Sequence, residues 1–187
     1  MKRIFAAIDI SEAARQAVSA YVEILHAEFQ SVRVGWEKPE KLHLTLKFFG
    51  DVDERQLENL TEAIEQTARQ NLNLNLQIAE AGVFPSPARA RILWLGLQEE
   101  TGNLQKLNEN LETECARFGF AREERNFKAH LTIARLREPQ KSKELIRKHL
   151  QNDFAPLEFQ ATEIVIYQSE LLPKGSIYKS VSRHKLK

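Results

Sequence analysis

One short pattern, His-Leu-Thr followed by an aliphatic residue, occurs twice in the chain and constrains its fold more than any other feature. The first copy begins at His43 within the run KLHLTLKFFG, and the second begins at His130 within KAHLTIAR. Polar and apolar residues alternate in both copies, which is typical of a half-buried β-strand. Side chains of a strand point alternately to opposite faces, so each histidine shares a face with the threonine two residues later, roughly 6–7 Å away.

The remaining sequence predicts an α+β fold. Apolar residues at helical spacing indicate helices near 11–29, 53–69, 102–118 and 140–150, with Ser11 as a cap and a capping box at Asp53 and Gln56. Further strands are predicted over 3–9, 72–80, 91–97, 157–167 and 177–183. Residues 31–41 are predicted to be a loop or an edge strand, residues 84–89 a loop, and Pro173-Lys174-Gly175 a turn.

The order of these elements contains a weak repeat. His130 follows His43 by 87 residues, and the same offset relates the helices near 53–69 and 140–150 and the strands near 72–80 and 159–167. We therefore expect two lobes with the same element order around a pseudo-twofold axis, with antiparallel sheets facing a central cleft and helices outside. Each half is too small to bury much core, so we expect residues 1–187 to form a single cooperative domain.

Composition excludes several classes of protein. Lys and Arg number 27 and Asp and Glu 26, whereas a protein that coats nucleic acid nonspecifically is usually far more basic. RNA binding would therefore need a local patch, and the basic residues expected near the cleft rims are Lys41, Lys47, Arg89, Arg91, Lys128, Arg135, Lys174 and Lys179.

The sequence predicts a cytoplasmic protein without a membrane-spanning segment. No apolar run approaches the roughly 20 residues of a membrane span, and Asp9 and Glu12 follow the basic start too soon for a signal peptide. The one cysteine, Cys115, cannot form an internal disulfide and falls on the apolar stripe of a predicted helix, which predicts a role in the core.

Two facing histidines suit the hydrolysis of a phosphodiester without a metal ion. A neutral imidazole can take a proton from the attacking water while a protonated one gives a proton to the departing oxygen. Both forms are accessible near neutral pH, because the ordinary pKa of histidine is about 6.5. The threonines Thr45 and Thr132 could hydrogen-bond the phosphate from opposite sides. No helix carries a histidine pair at the spacing of zinc ligands, so no metal site is predicted.

The paired motifs resemble those of the 2H phosphoesterase superfamily. More narrowly, the chain is similar to the RNA 2',3'-cyclic phosphodiesterases of the 2'-5' RNA ligase family, through RIFAAIDI, LHLTLKFFG, RILWLGL, FKAHLTIAR and the closing residues Ser169, Glu170, Leu171, Pro173, Gly175 and Tyr178. The resemblance implies hydrolysis of an RNA 2',3'-cyclic phosphate to a 2'-phosphomonoester, without metal or nucleotide cofactor, on RNA ends or short oligonucleotides. We expect the protein to be a monomer.

The resemblance also implies a role for each motif residue. It makes His43 the proton donor and His130 the proton acceptor, and it assigns phosphate binding to Thr45, Thr132 and Arg135, the last of which lies five residues after the second histidine. Strict alternation would place Arg135 on the face opposite His130. It reaches the phosphate only if the strand bulges or ends there, or if its side chain curls round.

Alternatives stay open at this point. The same site could act on a 2'-5' linkage, as ligase or phosphodiesterase, or on a small cyclic nucleotide, and the chain could also be an RNA-end binding module without catalysis. Which aromatic residue stacks on a terminal base also stays open, and Phe49, which shares the parity of His43, is the best candidate among Trp36, Phe48, Phe49, Phe84 and Trp94. The histidines outside the two motifs are expected on the surface: His26, His149 and His184.

Overall fold

The structure, a computed structural model, describes residues 1–172 and 175–187. Within these ranges the chain forms four α-helices, which are α1 (Glu12–Glu28), α2 (Glu54–Gln70), α3 (Asn103–Arg117) and α4 (Lys143–Leu150). It also forms nine β-strands, which are β1 (Lys2–Asp9), β2 (Val34–Trp36), β3 (His43–Val52), β4 (Leu74–Phe84), β5 (Ile92–Gln98), β6 (His130–Leu136), β7 (Leu157–Ala161), β8 (Glu163–Leu172) and β9 (Gly175–Lys185). The predicted α+β class is confirmed.

The strands form two antiparallel sheets that meet at the two histidine strands. The first sheet has the strand order β3-β1-β8-β9 and the second has the order β2-β6-β5-β4-β7. Strand β3 lies at an edge of the first sheet and contacts β6 of the second. The two His-Leu-Thr motifs therefore approach each other from different sheets.

Each half of the chain contributes a strand to the sheet of the other half. Strand β4 follows β1, β3 and helix α2 in sequence, but it pairs with β5 and β7 of the second sheet. Strand β8 follows β5, β6 and α4, but it pairs with β1 and β9 of the first sheet. Neither sheet can therefore be completed by a contiguous half of the chain.

Local signals in the sequence account for the helices. Ser11 caps α1 by accepting a hydrogen bond from the amide of Ala14, and Asp53 and Gln56 form the expected capping box at the start of α2. Helix α2 contacts β8, β9 and α3, and α4 contacts β4, which leaves the helices on the outer faces of the sheets. Among the described residues no helix combines the length and the apolar character that a membrane crossing requires.

The inward faces of the two histidine strands belong to one continuous hydrophobic core. Leu44, Leu46, Leu131 and Ile133 are all buried in it, as alternation predicts. Cys115 lies in the same core and is fully buried, which confirms its predicted structural role. The motifs are thus anchored on one side by apolar burial, which leaves their polar side chains on the other.

The predicted strand over 157–167 is wrong, because the chain changes sheets within it. Strand β7 pairs with β4 in the second sheet, whereas β8, which begins only two residues after β7 ends, pairs with β1 in the first. The alternation changes phase at the break, where the adjacent polar residues Thr162 and Glu163 separate buried Phe159 and Ala161 from buried Ile164 and Ile166. Residues 31–41 do contain an edge strand, β2, and of the predicted turn Pro173-Lys174-Gly175 the first two residues lie outside the described residues.

The surface position predicted for His149 is also wrong. Its side chain is fully buried, with Nε2 3.0 Å from the carbonyl oxygen of Gly82 and 3.1 Å from that of Trp94. Because carbonyls only accept, Nε2 carries the proton, and the hydroxyl of Tyr21 donates to Nδ1 at 2.9 Å. His149 therefore ties α1 and α4 to the β4–β5 pair. His26 is exposed as predicted, and His184 is half-buried.

Candidate active site

The two motifs line one cleft between the sheets, with a volume of about 540 Å³. All five predicted site residues contribute side chains to its wall: His43, Thr45, His130, Thr132 and Arg135. Residues 87 positions apart in the sequence are thus brought to one cavity, as the repeat predicts for the histidines.

Both imidazoles are held by the same local hydrogen bond. Nδ1 of His43 lies 2.6 Å from the carbonyl oxygen of Lys41, and Nδ1 of His130 lies 2.7 Å from that of Lys128. Because a carbonyl only accepts, each Nδ1 carries a proton, and in the neutral ring Nε2 is the basic nitrogen. The Thr45 hydroxyl lies 3.0 Å from Nε2 of His43. Each motif therefore presents Nε2 as its proton-transfer atom.

Aromatic rings pack against both imidazoles and partly bury them. Phe5 stacks on His43 with ring centroids 5.0 Å apart, and Tyr178 meets the same ring edge-on at 5.4 Å. Phe84 contacts His130 edge-on at 4.9 Å, and Trp94 lies 6.2 Å away. Burial lowers the pKa of His43 and the pKa of His130 below the ordinary value of 6.5, since it disfavours the charged ring.

The position of Trp94 depends on a glycine in the neighbouring strand. A Cβ atom on Gly82 would lie only 2.0 Å from Cζ2 of the Trp94 ring, so no larger residue fits without displacing the indole. Gly82 pairs with Trp94 across the β4–β5 ladder. The ring thus occupies the space that a side chain at position 82 would fill, next to His130.

The charged neighbours of the two histidines differ. The carboxylate of Asp9, which pairs with His43 across the β1–β3 ladder, works against burial and raises the pKa of His43, although Arg15 and His130 oppose it. Lys128 and Arg135 add to burial and lower the pKa of His130 further. Apart from their burial, the environment favours a proton on His43 more than on His130.

A β-bulge brings Arg135 to the cleft. The ladder between β5 and β6 shifts register between Leu93 and Trp94, and the consecutive residues Ile133 and Ala134 are both buried. The extra residue reverses the alternation, so Arg135 lines the same cleft as His130 and lies 3.5 Å from the Glu37 carboxylate. Glu37 itself lines the cleft, and no pattern in the sequence pointed to it.

The first motif bulges in the same way, which corrects the predicted stacking residue. Leu46 and Lys47 are both buried, and the β1–β3 ladder shifts register there. Phe48, not Phe49, is therefore the phenylalanine of this strand that lines the cleft, with 66% of its surface exposed. Phe49 packs against Phe120 instead. Phe48 stands five residues after His43, as Arg135 stands five after His130.

The basic residues predicted at the cleft rims have different positions. Lys41, Lys128 and Arg135 line the cleft, but Lys47 is buried at its wall, where Nζ lies 2.8 Å from both Glu112 carboxylate oxygens and from the carbonyl of Ala121. Lys179 pairs with Glu170. Arg89 and Arg91 line a different cavity, and Lys174 lies outside the described residues.

The donor set of the cleft does not match a metal centre. Across residues 1–172 and 175–187, no three His, Cys, Asp or Glu side chains come together in an arrangement that could hold a metal ion. The side chains that line the cleft beside the two imidazoles include hydroxyls, guanidinium and ammonium groups and the Glu37 carboxylate.

Comparison with known proteins identifies the family. A profile of the 2'-5' RNA ligase superfamily matches residues 12–171. The chain belongs to this superfamily. A relative from Methanothermobacter thermautotrophicus named RNA 2',3'-cyclic phosphodiesterase is 36% identical over 187 residues, which cover 98% of each sequence. One of the same name from Thermotoga maritima is 35% identical, covering 95% of this chain and 91% of the relative. The resemblance carried by the two motifs is confirmed.

Solved structures share the fold of this superfamily member. The protein TT0787 of Thermus thermophilus superposes with a TM-score of 0.81 at 23% identity, covering 98% of this chain and 97% of its own. Escherichia coli LigT complexed with 3'-AMP superposes with a TM-score of 0.77 at 24% identity, covering 100% and 98%. The arrangement of two antiparallel sheets around a cleft is therefore the fold of these proteins as well.

Proposed function

We propose that this superfamily member hydrolyses the 2',3'-cyclic phosphate at RNA ends to a 2'-phosphomonoester, with two histidines as acid and base and without a metal ion. The observation that carries the proposal is that one cleft contains two imidazoles, each tied through Nδ1 to the carbonyl two residues before it, so that each offers Nε2 for proton transfer. The relatives named RNA 2',3'-cyclic phosphodiesterase support the choice of substrate.

The reaction needs one base and one acid at opposite ends of the broken bond. Nε2 of His130 takes a proton from water as the water oxygen bonds to phosphorus. Nε2 of His43 gives its proton to the 3'-oxygen as the phosphorus–3'-oxygen bond breaks, which leaves the phosphate on the 2'-oxygen. The Asp9 carboxylate beside His43 and the cations beside His130 support this assignment of acid and base.

The remaining motif residues bind the phosphoryl oxygens. Thr45 and Thr132 can donate hydroxyl hydrogen bonds from the two strands, and Arg135 can add a charge-assisted contact. The negative substrate itself favours the imidazolium form of nearby histidines. Substrate binding therefore favours the protonated form of His43 that an acid needs, and it partly offsets the burial that lowers the pKa of this histidine.

The test is turnover of a short RNA ending in a 2',3'-cyclic phosphate, in excess EDTA, with the products resolved as 2'- or 3'-phosphates. The wild type should form the 2'-phosphate, and His43→Ala and His130→Ala should each lose at least about a hundredfold in rate, the usual minimum for a general acid or base. Exposed His26→Ala is the matched control and should keep full activity. Activity that vanishes in EDTA, or that survives in the double variant, would overturn the proposal.

All the motif residues of the cleft come from one chain, so we propose that the monomer is the active unit. Specific activity should then be independent of protein concentration, with a single species of about 21.6 kDa in sedimentation. A rise in specific activity with dimer formation would contradict this.

A further inference from the structure

A second cavity, of about 650 Å³, lies at the far end of the β4–β5 hairpin, where it meets the start of α4. Prolines and cations dominate its lining, chiefly Pro85, Pro87, Pro139, Arg89, Arg91 and Lys143. Backbone hydrogen bonds hold the loop in place, from the amide of Arg89 to the carbonyl of Ser86 at 3.0 Å and from the amide of Arg91 to that of Phe84 at 2.7 Å. We call this cavity the basic groove.

The three cations of the basic groove have no acidic partner in the described part of the chain. Arg89, Arg91 and Lys143 take part in none of its ion pairs, and none of the described residues that line the groove is acidic. The carboxylates nearest in sequence are engaged elsewhere, Glu138 by Lys141 at 2.9 Å and Glu144 by Arg147 at 2.7 Å. Because the net charge of the chain is only +1, three unpaired cations around one cavity form a local concentration of positive charge.

The basic groove adjoins the wall of the active-site cleft. Phe84 and Ile92 line the cleft and pair with each other at the end of the β4–β5 ladder, and the next residues outward, Pro85 and Arg91, line the groove. The Phe84–Ile92 pair thus ends this part of the cleft wall, and the chain directly beyond it forms the wall of the groove. Arg135 of the cleft pairs with Ile92 on the same edge. Successive residues of a strand point to opposite faces, so an RNA strand that leaves the cleft past Arg135 reaches Arg91 by passing around this end of the sheet.

We propose that the basic groove binds the phosphodiester backbone of the RNA nucleotides that precede the terminal cyclic phosphate. This rests on the function proposed above and extends it from the reacting group to the rest of the strand. Arginine and lysine bind backbone phosphates without reading sequence, which fits an enzyme that acts on ends. The groove makes the protein favour an oligonucleotide over a single nucleotide with the same cyclic phosphate.

The experiment compares adenosine 2',3'-cyclic phosphate with a tetra-adenylate that ends in the same group. The tetranucleotide carries three further phosphates, one for each cation. The variant combines Arg89→Gln, Arg91→Gln and Lys143→Gln, and the matched control combines Arg55→Gln, Arg69→Gln and Lys106→Gln, which remove the same charge from exposed positions on α2 and α3. At about 0.7 per phosphate contact on a single strand, three contacts contribute about 2 to the slope of log affinity against log salt, or about 20-fold between 50 and 200 mM.

The expected result is a preference of the wild type for the tetranucleotide of at least about tenfold in kcat/KM at 50 mM salt, kept by the control and lost by the groove variant. The mononucleotide rate should be equal in all three proteins. A wild type that shows no preference for length, or a groove variant that keeps it, would overturn the inference while leaving the proposed function intact. Competition by oligoglutamate as strong as that by RNA would also overturn it, since the groove would then bind any polyanion.

If the wild type turns over neither substrate, the proposed function fails, and binding decides the inference separately. Anisotropy of a 5'-labelled tetra-adenylate with a 3'-phosphate end should then show at least about tenfold weaker binding for the groove variant than for the control. Equal affinity in the two proteins would reject the basic groove as an RNA site.

Discussion

Removing the guanidinium of Arg135 should lower kcat/KM, and the exposure and charged neighbours of this side chain determine by how much. A hydrogen bond to a charged group contributes about 1.5–3 kcal/mol. The side chain of Arg135 is 52% exposed and already faces Glu37 at 3.5 Å, so the lower part of this range, about 1.5–2 kcal/mol, applies. At about 1.4 kcal/mol per factor of ten, Arg135→Gln should lower kcat/KM for an RNA 2',3'-cyclic phosphate about 10- to 30-fold.

Matched variants separate the contact from the charge. Arg135→Lys keeps the charge but loses the planar fork, and it should recover only part of the activity. Arg137→Gln removes the same charge two residues later, at an exposed position outside the cleft lining, and should stay within about twofold of the wild type. The assay is steady-state hydrolysis at fixed ionic strength, with the thermal midpoint of each variant recorded to exclude unfolding. Arg135→Gln within threefold of the wild type, or Arg137→Gln equally impaired, would refute the reasoning.

Four further predictions concern pH, stability and cooperativity. Because burial lowers the pKa of both His43 and His130, the bell-shaped pH profile of kcat/KM should peak below pH 6.5. The bound anionic substrate should shift the pH profile of kcat to higher pH. A maximum of kcat/KM above pH 7.5 would contradict this prediction. Tyr21→Phe leaves the buried Nδ1 of His149 without a donor and should cost about 1–3 kcal/mol in denaturant unfolding. Burial lowers the pKa of His149, so the contribution of the neutral ring to the free energy of unfolding is complete above pH 6.5 and is lost as the pH falls below that value. His149→Gln should therefore flatten the decline in the free energy of unfolding between pH 7 and 5, whereas exposed His26→Gln should not. Finally, the exchange of β4 and β8 between sheets leads us to propose that the two halves unfold together, and two calorimetric transitions would rule this out.

Alternation along each strand was enough to predict how the motifs sit, because it depends only on neighbours in sequence. Leu44 and Leu131 face the core while His43 and His130 line the cleft. The bulges could not be predicted, because a bulge is defined by the register with a partner strand. The shift beside Arg135 becomes visible only when β5 is paired with β6. For the same reason alternation predicted that Phe49 faces the cleft, whereas the bulge in β3 places Phe48 there.

Buried polar groups were missed for a related reason. In the sequence of α4, His149 stands among charged residues and resembles another side chain of the solvent-exposed face. Its hydrogen-bond partners lie 128, 67 and 55 residues away in the sequence, at Tyr21, Gly82 and Trp94. A buried histidine can be recognised only once these partners are assembled around it. The sheet change at Thr162 did leave a signal, because the adjacent polar residues Thr162 and Glu163 interrupt the alternation, but the prediction of one strand over 157–167 overlooked it.

The measurement that tests the central claim most directly separates the acid from the base. A substrate in which sulfur replaces the bridging 3'-oxygen releases a thiolate, which is a much weaker base than an alkoxide because a thiol has a pKa of about 8.5, and it therefore leaves without a proton from a general acid. If His43 is the acid and His130 the base, His43→Ala should lose at least about a hundredfold on the oxygen substrate but less than about tenfold on the sulfur substrate, whereas His130→Ala should lose equally on both. Equal losses for His43→Ala on the two substrates, or selective rescue of His130→Ala by sulfur, would contradict the assignment.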